Sequence, residues 1–368
     1  MDSLTQATLG AAVGEAILGK KIGNRAILWG ALFGTIPDLD VIFSPLLDNA
    51  QELAFHRGGS HSLLLMVIAS LALAKPLAKL WKIEKVSPMR AGIFVFLAWS
   101  THVLIDCFTV YGTSVLWPFS PVRVGFNNLF IIDPLYTLPL LVSLIWLAFY
   151  RSKKQQPKRT RILNWGLGIS SAYVVFSFAM KFYASSSFDA DLARRDIEYN
   201  RRMEAPTAFN TLLWRSILER EDEIWVGYRS VLEMPSKPIR WTVYPRQKEI
   251  VAPFANEREV RTIDWFSQGW WIARPHAQGI WMADMRFGET RIYDDKPGMV
   301  DSRFMFSWSF EPNKEGERLN NDRPSARNVK DSLKRIGHRI LGNTKQWEAN
   351  PRLAGLVGAL PETLRVVE

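Results

Sequence analysis

Two histidines bracket a Gly-Gly pair in His56-Arg57-Gly58-Gly59-Ser60-His61-Ser62, and a third, His102, precedes Asp106 by one helical turn. Imidazole nitrogens and carboxylate oxygens are the donor set of zinc, manganese and iron. The glycine pair leaves both rings free to turn toward one point, and Ser60 is placed to cap the helix that His61 opens. Pro37-Asp38-Leu39-Asp40 breaks an apolar run and sets two carboxylates in a turn, where both can face one cation. Together His56, His61, His102, Asp38, Asp40 and Asp106 form a candidate shell for a divalent ion, zinc first, with manganese or iron as alternatives. The plainer readings are a His-Asp bond between two helices, an interfacial loop at His56 and Arg57, and a solvated acidic turn.

The elements that must position these residues are apolar. Runs at about 26–47, 61–81, 91–111, 131–150 and 162–183 approach the ~20 residues that cross ~30 Å of hydrocarbon. Residues 4–19 form a shorter run containing Glu15, read as a retained, packed helix and a marginal span. Gly10-x3-Gly14 and Gly30-x3-Gly34 carry the small-residue spacing that lets membrane helices approach closely. The mean hydropathy of -0.04 therefore averages an apolar half with a polar one.

Lysine and arginine set the expected orientation. Lys20, Lys21 and Arg25, then Lys79, Lys82, Lys85 and Arg90, then six basic residues from Arg151 to Arg161 fill alternate connections, while the intervening ones hold Arg57 and Arg123. The basic connections are expected in the cytoplasm. Six crossings then place the amino terminus, Asp2, the 37–40 turn, the 56–61 loop, Asp106, Asp133 and the carboxy-terminal half at the outer face. Ionisable groups at membrane depth are costly and mark function.

The net charge of +10 in 368 residues would suit a nucleic-acid partner, but its placement is a topology signal, and no nucleic-acid role is expected. The single cysteine, Cys107, excludes an intrachain disulfide and reads as packing. No Gly-rich phosphate loop or Gly-x-Ser-x-Gly elbow occurs. From about residue 184 the pattern changes. Residues 189–202 read as a charged helix, and 223–231, 239–244, 270–274, 279–287 and 303–310 as aromatic alternating strands of a small antiparallel sheet. A helix at about 328–341 and a loose tail follow. Trp270, Trp271 and Trp281 read as core, and His276 and His338 as surface residues.

Met1-Asp2-Ser3-Leu4-Thr5, Pro37-Asp38-Leu39-Asp40, the 56–62 loop and His102-x3-Asp106 together resemble the YdjM-like (LexA-binding) family, described as inner-membrane-associated metal-dependent hydrolases. The resemblance covers about residues 1–183. It implies a helical membrane domain with a His and Asp metal centre, distantly similar to the helical zinc-dependent phospholipase C and nuclease group. His56, His61, His102, Asp106, Asp38 and Asp40 match its motifs, whereas Gln6 stands where many members have histidine.

The expected architecture is an α-helical multi-pass membrane domain over 1–183 followed by a β-rich α+β extracytoplasmic domain over 184–368. The expected function is a metal-dependent hydrolase of the bacterial inner membrane, acting on a phosphoester or lipid-like substrate at the outer face. In this reading an ion at the site acidifies water and polarises the scissile group, whichever of Asp38, Asp40 or Asp106 is not a ligand handles a proton or orients a histidine, and Arg57 pairs with phosphate. The partner is a membrane lipid or lipid-linked molecule. A non-enzymatic scaffold with a structural metal is the competing class, since closed and open sites share ligand types. A proton-coupled transporter would need polar groups through the whole bilayer depth, and the cytoplasmic halves show few.

Overall fold

Side-chain caps start the helices of the first half. Asp2 accepts a hydrogen bond from the Thr5 amide, Ser62 from Leu65, Ser87 from Arg90 and Asp133 from Leu135, the last two followed at once by proline. In the computed structural model the chain runs through α1 (Ser3–Ile22), α2 (Arg25–Thr35), a 3-10 stretch Ile36–Leu46, α3 (Asn49–Phe55), α4 (Leu63–Leu80), α5 (Pro88–Cys107), α6 (Pro134–Ala148) and α7 (Gln156–Arg194). The structure describes residues 1–276, 279–288, 304–322, 329–344, 347 and 365–367. Most of the expected tail, and Arg303, lie outside them. Ser62, not Ser60, caps α4, because the chain first closes a 3-10 turn over Gly59–His61.

The chain divides into two compact units, one of residues 1–44 and 55–178, the other of 45–54 and 179–368. In the first, α1 and α2 cross through their glycines. A Cβ on Gly10 would lie 2.4 Å from the Gly30 carbonyl oxygen, and one on Gly34 would lie 2.6 Å from that of Gln6. Only hydrogen fits there. Trp81, Phe94, Val95 and Ala98 pack the core beside them. Cys107 is buried in the same cluster.

Arg25–Leu46, Leu63–Leu80, Pro88–Cys107 and Gln156–Arg194 are long and apolar enough to cross a membrane. Their outward residues, such as Leu71, Val175 and Phe182, are large and apolar, as a lipid-facing surface requires. Helix α6 is shorter, and most of α1 is buried among its neighbours. Glu15, the costly charge in α1, is held bidentately by Arg159, with Nε to Oε1 at 2.9 Å and Nη2 to Oε2 at 2.6 Å. Arg159, counted above among the basic residues of a connection, is thus a buried partner.

In the second unit, β1 (Arg201–Pro206), β2 (Leu213–Arg220), β3 (Glu223–Ser230), β4 (Trp241–Pro245) and, from the far end of the chain, β9 (Arg365–Val367) form one antiparallel sheet in the order β1-β2-β3-β4-β9. A second antiparallel sheet has the order β5-β6-β7-β8, with β5 Trp271–His276, β6 Gly279–Asp284, β7 Ser307–Phe310 and β8 Leu319–Asn321. Helices α8 (Lys248–Val251), α9 (Arg258–Phe266) and α10 (Val329–Ile340) complete the unit. Alternation sorts the first sheet's side chains between two cores. Ile217, Val226 and Tyr244 meet Ile272 and Trp281 of the second sheet, while Trp214, Leu218, Trp225 and Trp241 meet Ala184, Phe188 and Leu192 at the end of α7.

The helix expected over 189–202 ends at Arg194, and its last residues open β1. Asp191 explains the stop: its carboxylate accepts from the Ile239 amide and the Trp241 indole, tying the end of α7 to the entry of β4. The expected small sheet is two sheets, and β1 and β2 are additions to it. Trp270, Trp271 and Trp281 are buried. His276, read as a surface residue, ends β5 and is half-buried.

Candidate metal centre

The 3-10 stretch, the 59–61 turn and α5 bring four residues together: Asp38, His61, His102 and Asp106, whose donor atoms all lie within 4.8 Å of one another. His61 Nε2 is 3.2 Å from His102 Nε2, 3.3 Å from Asp38 Oδ1 and 3.4 Å from Asp106 Oδ2. His102 Nε2 is 3.5 Å from each of the same two oxygens. A tetrahedral ion with bonds of ~2.0–2.2 Å spaces its ligands by about 3.3–3.6 Å. The five separations that involve a histidine, 3.2–3.5 Å, are close to those edges.

Protons decide what the centre lacks. Ser60 Oγ donates to Asp40 Oδ2 at 2.9 Å, so its single hydrogen is committed and its 2.8 Å contact with His61 Nδ1 is one in which the imidazole donates. His102 Nδ1 likewise donates to the Gly34 carbonyl at 2.6 Å. In neutral imidazoles, the form that binds a metal, both Nε2 atoms then carry lone pairs, and they face each other. Asp38 Oδ1 and Asp106 Oδ2 are buried without a hydrogen-bond partner among the described residues. Four acceptors converge on one point with no donor between them, which costs energy unless a cation satisfies them. Two imidazoles and two carboxylates are a donor set for zinc, manganese or iron.

The surroundings aim each ligand. Asp106 Oδ1 is taken by Gln6 Nε2 at 2.9 Å, by Arg57 Nη2 at 3.2 Å and by the Met1 nitrogen, which leaves Oδ2 for the cluster. Asp40 lies one layer out, where His56 Nδ1, the Arg57 amide and Ser60 all meet its carboxylate. The pairing of Asp38 and Asp40 on one cation, expected from a turn, does not occur. Residues two apart in a 3-10 helix point about 240° apart, so Asp38 faces the cluster and Asp40 the loop. His56 pairs with Asp40, its ring centroid 6.3 Å from that of His61.

Arg57 has a left-handed backbone with φ of 58° and a buried side chain. Its guanidinium reaches Asp106 and Thr109, lies 4.7 Å from the Tyr111 ring centre, and keeps a buried Nε with no hydrogen-bond partner among the described residues. Asp2 serves as the cap of α1 and Asp133 as that of α6. Sequence reasoning passed over the Gly34 carbonyl and the Ser60 relay. A glycine after a small-residue helix crossing was the available signal for the first.

All four cluster residues fall within residues 1–184, which match the family model described as YdjM inner membrane protein. The chain belongs to that family. Membership in the YdjM family and the four apolar helices make it a membrane-integral protein of the inner membrane. It is also similar to the Uncharacterized protein YfhP of Bacillus subtilis (strain 168), at 30% identity over 158 residues, covering 40% of this chain and 47% of the relative. The chain thus spans about half the length of that curated relative. No solved structure matches it.

Proposed function

We propose that this YdjM-family protein is a metal-dependent hydrolase of a phosphoester or lipid-like substrate, with its centre at the outer face of the inner membrane. The observation that carries the reading is the convergence of two imidazole lone pairs and two unpartnered carboxylate oxygens on one point. Asp38, His61, His102 and Asp106 would hold the ion. When bound, a divalent ion supplies Lewis acidity, polarising a phosphoryl or acyl oxygen and making an attacking water more acidic.

The chain's own residues divide the remaining work. Asp38 is the ligand that reaches the surface, its side chain 21% exposed against 0% for the other three, so its outward oxygen is placed to accept a proton from attacking water. Arg57 fixes Asp106 and offers its uncommitted Nε–H to a phosphoryl oxygen. The Lys and Arg distribution supports the outer face, and a site there meets lipid headgroups or lipid-linked intermediates.

Four protein ligands also describe a closed structural site, which is the second reading. Metal analysis of the detergent-purified protein beside His102→Ala tests both. Stoichiometric zinc, manganese or iron in the wild type, lost in the variant together with hydrolysis of phosphodiesters or phospholipids, is the expected result. No metal in either protein after reconstitution would overturn the centre. Asp38→Asn separates the readings: retained metal with lost turnover marks catalysis, and lost metal with lost stability marks a structural role.

A further inference from the structure

Helix α1 has a second chemical end. Gln6 stands at the metal centre, and Lys20 lies fourteen residues further on, about 21 Å along the axis. There an open groove of about 710 Å³ is lined by Lys20, Gln156, Pro157, Thr160, Arg161, Asn164 and Trp165. Two cations, two amides and a hydroxyl thus surround a space large enough for a small headgroup.

The charge of this groove is not offset. Neither Lys20 nor Arg161 has an ion pair among the described residues, and no acidic residue occurs between Tyr150 and Asp189. Glu15, the acid of α1, is consumed by Arg159, whose guanidinium also bonds Asn24 and the Leu147 and Tyr150 carbonyls. The amino end of α7 adds the positive end of its dipole. Trp165 is 67% exposed on the groove wall, and Ile169, one turn deeper on the same face, is half exposed. Cations at the rim, an indole below them and an aliphatic surface deeper still match the polar-to-apolar order of a phospholipid entering a leaflet.

We infer that this groove binds the phosphate headgroup of an anionic phospholipid in the leaflet opposite the metal centre, with Lys20 and Arg161 on the phosphate and the acyl chains along Trp165 and Ile169. A basic pocket between membrane helices is the recurring form of such a site. It is independent of the hydrolase reading, since the lipid is held about 21 Å along α1 from Asp106 and its neighbours.

The test is lipid retention by the full chain, measured by native mass spectrometry after extraction from nanodiscs of equal phosphatidylglycerol and phosphatidylcholine. The wild type should keep phosphatidylglycerol preferentially, and Lys20→Gln with Arg161→Gln should reduce that preference by ~10-fold or more. Both side chains are exposed, so folding and metal content at the other end should stay unchanged. Trp165→Ala should weaken retention without abolishing the headgroup preference. Equal retention of phosphatidylglycerol by the double variant would overturn the site, as would no preference in the wild type. Competition by millimolar inorganic phosphate that displaces the lipid fully would show a soluble-anion site and overturn the lipid assignment.

Discussion

Ser60 shows how much of a metal centre can reside in one hydroxyl. It donates to Asp40, accepts from His61 Nδ1, and so directs the lone pair of His61 Nε2 at Asp38, His102 and Asp106. Ser60→Ala should leave the fold intact, because the Ser60 carbonyl still accepts from the Trp99 indole. It should weaken metal binding by ~10–100-fold, the usual effect of losing such an orienting partner. Chelator competition measures this, and Ser60→Thr should restore affinity; unchanged affinity in the alanine variant would mean that packing alone holds the His61 ring. Residue types alone marked His61, His102, Asp38 and Asp106, since buried ionisable side chains in apolar runs demand a partner. They could not separate Asp38 from Asp40, which depends on the local helix being 3-10, nor assign His56 to Asp40 before the Gly-Gly loop was folded.

At the scale of elements, the glycine crossing of α1 and α2 is what delivers the Gly34 carbonyl to His102 and Asp38 to the cluster. A Cβ at Gly34 would meet the Gln6 carbonyl oxygen at 2.6 Å and the Gly10 Cα at 2.7 Å, both backbone atoms that cannot swing aside. Gly34→Ala should therefore force the helices apart, lowering stability by about 1–3 kcal/mol and reducing metal content with it. Gly168→Ala is the control: no atom lies within 4 Å of its added Cβ, and alanine favours a helix by roughly 0.5–1 kcal/mol over glycine. Thermal melts in detergent with metal analysis distinguish the two. The crossing was legible as Gly10-x3-Gly14 and Gly30-x3-Gly34 because spacing encodes it directly. Strands β1 and β2 were not, because Arg201, Arg202, Arg215 and Glu219 interrupt their apolar pattern. Glu219, for one, is held by Arg201 on β1 and by Arg246 just past the end of β4, partners far off in sequence that a linear reading does not see.

At the scale of the whole molecule, the proposed orientation rests on charge that has no ion pair among the described residues. Arg159 is spent on Glu15 and Arg25 on Glu84, yet Lys20, Lys21, Lys79, Lys82 and Arg161 remain among the basic connections, against Arg57 and Arg123 on the other side. The two opposing arginines are themselves buried, so they are weak votes for the cytoplasm. Juxtamembrane lysines and arginines hold their connections inside. The end of the chain should then lie outside, as threading six helices from an outer amino terminus requires. An alkaline phosphatase reporter fused after Glu368 should be active and a fluorescent-protein reporter at the same position dark. The reverse pattern would place the carboxy-terminal half in the cytoplasm. It would then move the metal centre to the inner leaflet or change the number of crossings by one. Cysteine labelling at Ser120, in the loop that follows α5, separates those two outcomes, because only the first makes that loop inaccessible from outside.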